Sequence, residues 1–255
     1  MEANISFKDD FRLAMVVMKN EFLKQKRGKR LYIYGALLLL IIVSLTGALL
    51  ATGGLGDNPD SLSYMFVSMV TLMMIVGATL FGATTIVSEF EERTALIIFN
   101  RPINKWSIYL GKFMSAYLIL IGFFAVYYIF IAVLCLVGTG QMAEGLLASF
   151  GYALAYAFAA TGIALMISSF MKKASTASIL TFFTIFMLLD IVFGLISMAA
   201  GIEDTWYMLN TAGSAVTYAL DPTMSIDGLK TVGTLLVWGL VPGIIGFLKF
   251  RNRDF

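Results

Sequence analysis

Six long apolar runs dominate the sequence, and they decide what it can fold into. With their interfacial flanks they cover residues 31–52, 62–87, 107–137, 146–170, 174–200 and 229–249. A hydrocarbon core of about 30 Å takes roughly 20 residues of helix to cross, so each run is long enough to be a span. Inside lipid every backbone N–H and C=O must find its partner within the protein, which leaves only helices or a closed barrel. Runs of this length without a polar/apolar alternation predict helices. The expected fold is an all-α integral membrane protein of six transmembrane helices, forming one domain over 1–255. Mean hydropathy of +0.87 agrees. With only 13% charged residues, the chain lacks the material for a separate soluble domain.

Lysine and arginine placement sets the expected orientation, because basic residues beside span ends stay on the cytoplasmic side. They cluster before the first span (Lys24, Lys26, Arg27, Lys29, Arg30), between the second and third (Arg93, Arg101, Lys105, Lys112), between the fourth and fifth (Lys172, Lys173) and after the sixth (Lys249, Arg251, Arg253). The alternate connections carry Asp57, Asp60, Glu144, Glu203, Asp204, Asp221 and Asp227, with Lys230 their one base. Both termini are therefore expected in the cytoplasm, with the chain multi-pass in the cell membrane.

Histidine is absent and Cys135 is the single cysteine, inside the third run. Disulfides within the chain, histidine metal sites and histidine acid–base chemistry are excluded on that ground. No nucleic-acid signature is present, and the basic residues are accounted for by topology. The first 30 residues do not read as a cleavable signal peptide, since acidic residues and an amphipathic pattern stand where a short apolar segment belongs.

Three segments outside the spans carry a pattern. Phe7, Phe11, Ala14, Met15, Met18 and Phe22 recur at helical spacing, with Ser6 and Asp9 as an N-terminal cap pair. This predicts an interfacial helix over 5–25, followed by a basic run suited to anionic headgroups. Between the second and third spans, residues 88–105 form a charged knuckle. A helix beginning at Glu89 would put Phe90, Thr94, Ile97 and Ile98 on one side, and Glu89, Glu92 and Arg93 on a side facing the cytoplasm. Pro102 cannot continue that helix and pushes Arg101 toward an extended conformation. Before the last span, residues 201–230 predict one or two short helices at the outer leaflet.

Within the spans, Asp190 lies near the middle of the fifth. A carboxylate at that depth costs about 2.5 to 3.5 kcal/mol on insertion scales, so it is expected to face the bundle or a pathway rather than lipid. Either pathway lining or a hydrogen bond to a neighbouring helix would satisfy it. Gly151, Ala155, Ala159, Ala160 and Ala164 give the fourth span a stripe of small residues that permits close packing. Pro242 is expected to kink the sixth.

The run "EFEERTALIIFNRPINKWSIYLGK" (89–112) resembles ABC-2 type permeases, the transmembrane subunits of ATP-binding-cassette transporters. Glu89, Glu91 and Glu92 match the family's acidic cluster, Thr94 and Leu96 its short helix, Arg101, Pro102 and Ile103 its turn, and Leu110, Gly111 and Lys112 its closing signature. Arg93 departs from the Gly common there. The resemblance implies an elbow helix at the N-terminus, a coupling helix within 88–105, and partly re-entrant outer helices before span six. It implies ATPase-coupling roles for Glu89, Glu91, Glu92, Arg93, Thr94, Arg101 and Pro102, and places Asp190 at or near the pathway. The implied partners are two cytoplasmic ATPase subunits, a second copy or a homologous permease, and membrane lipids. The implied activity is transport, with export predominating. No G-x-x-x-x-G-K-[ST] loop occurs, so this chain is not expected to be an enzyme. Catalytic, cofactor and metal sites are expected to be absent, with ATP and Mg held by the partner ATPase. The alternatives are a secondary transporter or channel using Asp190 as an ion or proton site, and a non-transporting family member that acts mechanically or in maturation.

Overall fold

The computed structural model describes residues 7–51, 58–91 and 104–253. Among these the protein is helical throughout, with no strand. Six helices are long and apolar enough to cross a membrane. Helix α1 (Phe7–Arg27) precedes span one, α2 (Lys29–Ala51). Span two comprises α3 (Pro59–Val67) and α4 (Val70–Phe81), and α5 (Val87–Glu91) follows it. Spans three and four are α6 (Lys105–Thr139) and α7 (Leu146–Phe170). Span five contains α8 (Ala174–Phe183), a π-helical turn (Thr184–Leu188) and α9 (Leu189–Ala200). The short helices α10 (Leu209–Gly213) and α11 (Ala215–Tyr218) then lead to span six, α12 (Gly228–Arg251).

Span four is the most enclosed of the six, and spans one and five the least. Its most extensive contacts are with span six, and small residues make them possible. A Cβ on Gly162 would lie 2.2 Å from the carbonyl oxygen of Gly239, so the two backbones meet where neither residue has a side chain. Ala159, Ala160 and Ala164 are fully buried on the same helix. Gly151, expected to share in this packing, is exposed with no neighbour that a Cβ would touch. Span six runs on as helix through Pro242.

Two spans depart from the continuous helices expected. Span two breaks at Ser68–Met69, then leaves the α-helix again at 82–86. Gly82 weakens the helix there, and Thr84 and Thr85 turn their hydroxyls back onto the Leu80 and Phe81 carbonyls, a bond that bends helices. The amides of Ile86 and Val87 donate instead to Ser168 Oγ of span four, at 3.2 and 3.1 Å. In span five the π turn closes with Leu189 N–H donating to Thr184 C=O.

Helix α1 lies along the start of span three, and the smallest member of its apolar stripe makes the contact. Ala14 is fully buried, and a Cβ on Gly111 would come within 2.6 Å of the Ala14 carbonyl oxygen. Asp10 accepts from Asn104 Nδ2 at 2.6 Å. Phe11, Met15 and Phe22, large members of the stripe, are exposed, while its small member Ala14 makes the protein contact. The predicted Ser6 cap lies outside the described residues.

Candidate functional site

The ends of the spans that carry the basic residues meet around one buried cation. Lys112, about two turns into span three, is 1% exposed. Its ammonium donates to Glu89 Oε1 at 2.5 Å, Glu21 Oε2 at 3.2 Å and the Thr85 carbonyl oxygen at 3.1 Å. Three donors meet three acceptors. Those acceptors belong to α1, to the unwound turn of span two and to α5, so a single side chain ties three elements to span three. Both carboxylates are buried beside it, at 7% for Glu21 and 4% for Glu89.

This corrects the expectation that Glu89 faces the cytoplasm with Glu92 and Arg93. The unwound residues 82–86 change the angle at which the chain enters α5, and Glu89 turns inward toward Lys112. Its two neighbours are engaged as well. The Arg253 guanidinium sits 3.9 Å above the Phe90 ring, and Phe250 meets that ring edge to face. Arg253 also donates to the Ser169 and Met171 carbonyls at 3.1 and 2.8 Å, closing the end of span four. Glu91 Oε2 accepts from the amide of Ala174 at 2.8 Å. That places a carboxylate on the N-terminus of span five, where the helix dipole favours it. Lys105 Nζ donates to the Arg251 carbonyl at 2.8 Å, joining the starts and ends of spans three and six.

Three consecutive residues, Glu89, Phe90 and Glu91, thus contact groups from spans three, five and six, and reach α1 through Lys112. Glu92, Arg93, Thr94, Arg101 and Pro102 lie outside the described residues. No group of three or more His, Cys, Asp or Glu arranged to hold a metal occurs among the described residues. The arrangement holds elements in register.

A second polar cluster surrounds Asp190, which is half-buried in span five. Asn210, in α10, donates from Nδ2 to Asp190 Oδ2 at 2.7 Å and to the Ile185 carbonyl at 3.0 Å. Its Oδ1 accepts from the buried Tyr156 hydroxyl of span four at 2.9 Å. Ile185 lies inside the π turn, a device by which helices release backbone groups for such use. Asp190 therefore has a neighbouring-helix hydrogen bond, and one of its oxygens binds the short helix α10. At the same end, Ser149 donates to the Val216 carbonyl and bonds Tyr128 at 2.8 Å, fastening α11 to spans three and four.

Sequence reasoning missed several members. The sequence pattern does not single out Glu21 or Ser168, and it places Asn210 only within a segment of short helices. Lys112 carried a signal: it stands in the closing signature of the knuckle, with apolar residues following.

The profile of a family described as ABC-2 family transporter protein matches residues 17–188, more than half of the chain. No curated protein matches it. The matched segment includes every member of the Lys112 cluster and stops short of Asp190 and Asn210.

Proposed function

The chain belongs to the ABC-2 transporter family, and from that premise we propose that it is a permease subunit driven by ATP hydrolysed in separate cytoplasmic ATPase subunits. The working unit is two permease chains, this one with a second copy or a homologue, and two ATPases carrying ATP and Mg. Both termini and the basic end of the bundle face the cytoplasm of the cell membrane, and the direction of transport is export.

The observation that supports this reading best is the convergence at Glu89, Phe90 and Glu91. These residues open the charged segment that the ATPase would grip through Glu92, Arg93, Thr94, Arg101 and Pro102. A force applied there is passed to span three through Lys112, to span five through Ala174 and to span six through Arg253. Coupling in this reading is rigid-body tilting of packed helices. Glu89 and Glu91 act in it by transmitting motion within the permease, because their carboxylates are engaged by the permease itself. Asp190 lines the pathway, on a span that the rest of the chain barely covers.

The test is purification in mild detergent, followed by mass spectrometry and an ATPase assay. A cassette ATPase should accompany the wild-type chain and be lost from Glu92→Lys, with membrane insertion unchanged. Normal recovery of the ATPase with that variant refutes the docking assignment. Absence of any ATPase after crosslinking refutes the subunit reading and favours a stand-alone transporter built on Asp190.

A further inference from the structure

The corner between α1 and span one borders a cavity of about 320 Å³, lined by polar residues, that shares Glu21 and Thr85 with the Lys112 cluster and adds cations that cluster does not use. Gly28 interrupts the helix there, and its amide bonds back to the Lys24 and Gln25 carbonyls. The turn brings Lys29 and Arg30 over the unwound residues Thr84 and Thr85 and over Ser88 of α5. Arg30 donates from one terminal nitrogen to Thr84 Oγ1 at 2.5 Å. That bond fixes the guanidinium at the wall while leaving most of its five N–H donors for another acceptor. Lys29 makes no ion pair among the described residues. The carboxylate on the wall, Glu21, is already held by Lys112. Gln25 Oε1 is buried at the cavity without a hydrogen-bond partner.

We propose that this cavity binds the headgroup of an anionic phospholipid, a phosphodiester whose alcohol carries a hydroxyl. Arg30 and Lys29 supply charge-assisted bonds to the phosphate oxygens. The headgroup hydroxyl donates to Gln25 Oε1, satisfying an acceptor that burial otherwise leaves costly. Basic pockets between transmembrane helices recognise lipid phosphates in this manner. A lipid fits better than a free anion because exposed Phe22 and Leu23 of α1, with Tyr32 and Ile33 of span one, flank the corner and offer apolar surface to acyl chains. The site lies against the turn that leads into Glu89, so a bound headgroup braces the same turn from the other side. The proposal does not depend on the ATPase.

The experiment uses the full chain, delipidated and reconstituted in nanodiscs containing phosphatidylglycerol and phosphatidylcholine, with native mass spectrometry counting retained lipid. Wild type should keep one phosphatidylglycerol per chain, and Lys29→Gln/Arg30→Gln should lower retention by at least about tenfold, the equivalent of one charge-assisted hydrogen bond. Lys26→Gln/Arg27→Gln removes the same charge beside the cavity and should retain the lipid. If the double variant at 29 and 30 does not fold, Lys29→Gln alone should still show reduced retention. Gln25→Met keeps every cation and should narrow the preference for phosphatidylglycerol over phosphatidic acid, which has no headgroup alcohol. Equal losses in the two double variants would indicate diffuse surface attraction and overturn the site. Equal retention of phosphatidylglycerol and phosphatidylcholine overturns it also, and displacement by millimolar inorganic phosphate overturns the lipid assignment.

Discussion

A lysine at 1% exposure is tolerated in this protein because two carboxylates and a carbonyl surround it. Desolvating such charges costs several kcal/mol each, and the cost is recovered only while the set is intact. Lys112→Met should therefore destabilise the protein by about 3 to 5 kcal/mol, the usual penalty for stranding a buried charge. A lowered unfolding temperature in detergent would report it. Adding Glu21→Gln and Glu89→Gln should restore most of the loss, since neutral side chains no longer need the ammonium. If the triple variant is no better than Lys112→Met, packing rather than charge is responsible. Asp190 permits a cleaner separation of roles. Asp190→Asn keeps an oxygen for the Asn210 amide, so stability should change by no more than about 1 kcal/mol, the value of one ordinary hydrogen bond. Transport or its coupling to ATP hydrolysis should nevertheless fall if the carboxylate serves the pathway. Wild-type transport by this variant would assign Asp190 to packing alone.

The elements test a different kind of bond. Ser168 Oγ is the acceptor for two amides released where span two unwinds. Ser168→Ala should cost about 1 to 3 kcal/mol, the penalty for leaving buried donors unsatisfied. It should also speed hydrogen exchange at Ile86 and Val87 while spans three and four stay protected. Uniform exchange across the bundle would argue against a local role. Gly111→Leu tests the docking of α1, because even a Cβ would collide with the Ala14 carbonyl oxygen. Protease cleavage within α1 should rise with the remaining helices intact. The contrast between these elements and the spans explains what the sequence could reveal. The spans were legible because hydropathy sums over some twenty residues and survives local irregularity. The break at 82–86 was not, since Gly82, Thr84 and Thr85 are neutral enough to pass in an apolar run. The inward turn of Glu89 was hidden for the same reason: a helical projection begun at 89 assumes a phase that the unwound turn resets. Asn210 was invisible because its partners come from spans four and five, far away in sequence, and a lone amide in a connection has no periodicity to mark it. The short helices around it were still legible, since a mildly apolar stretch too short to span has few other places to rest.

At the scale of the whole molecule, the charge asymmetry and the bond pattern make a single argument about orientation. Lys112, Lys105 and Arg253 lie at one end of the bundle, and each is bonded to a backbone carbonyl there. The other end is fastened by neutral groups, with Ser149 on the Val216 carbonyl, Tyr128 on Ser149 and Trp238 on the Tyr207 carbonyl. Reversing the protein in the membrane would expose those carbonyl-bonded cations to the outer face and require the basic loops to be translocated, which insertion disfavours. Single cysteines can read the outcome with little interference, because native Cys135 is buried. Gln141→Cys and Met224→Cys, both exposed at the opposite end, should react with an impermeant thiol reagent added outside intact cells. Lys172→Cys, exposed at the basic end, should react only after the membrane is opened. The opposite pattern would place the Glu89 to Glu91 segment outside the cell, where no cytoplasmic ATPase could reach it, and the proposed coupling would fail together with the orientation.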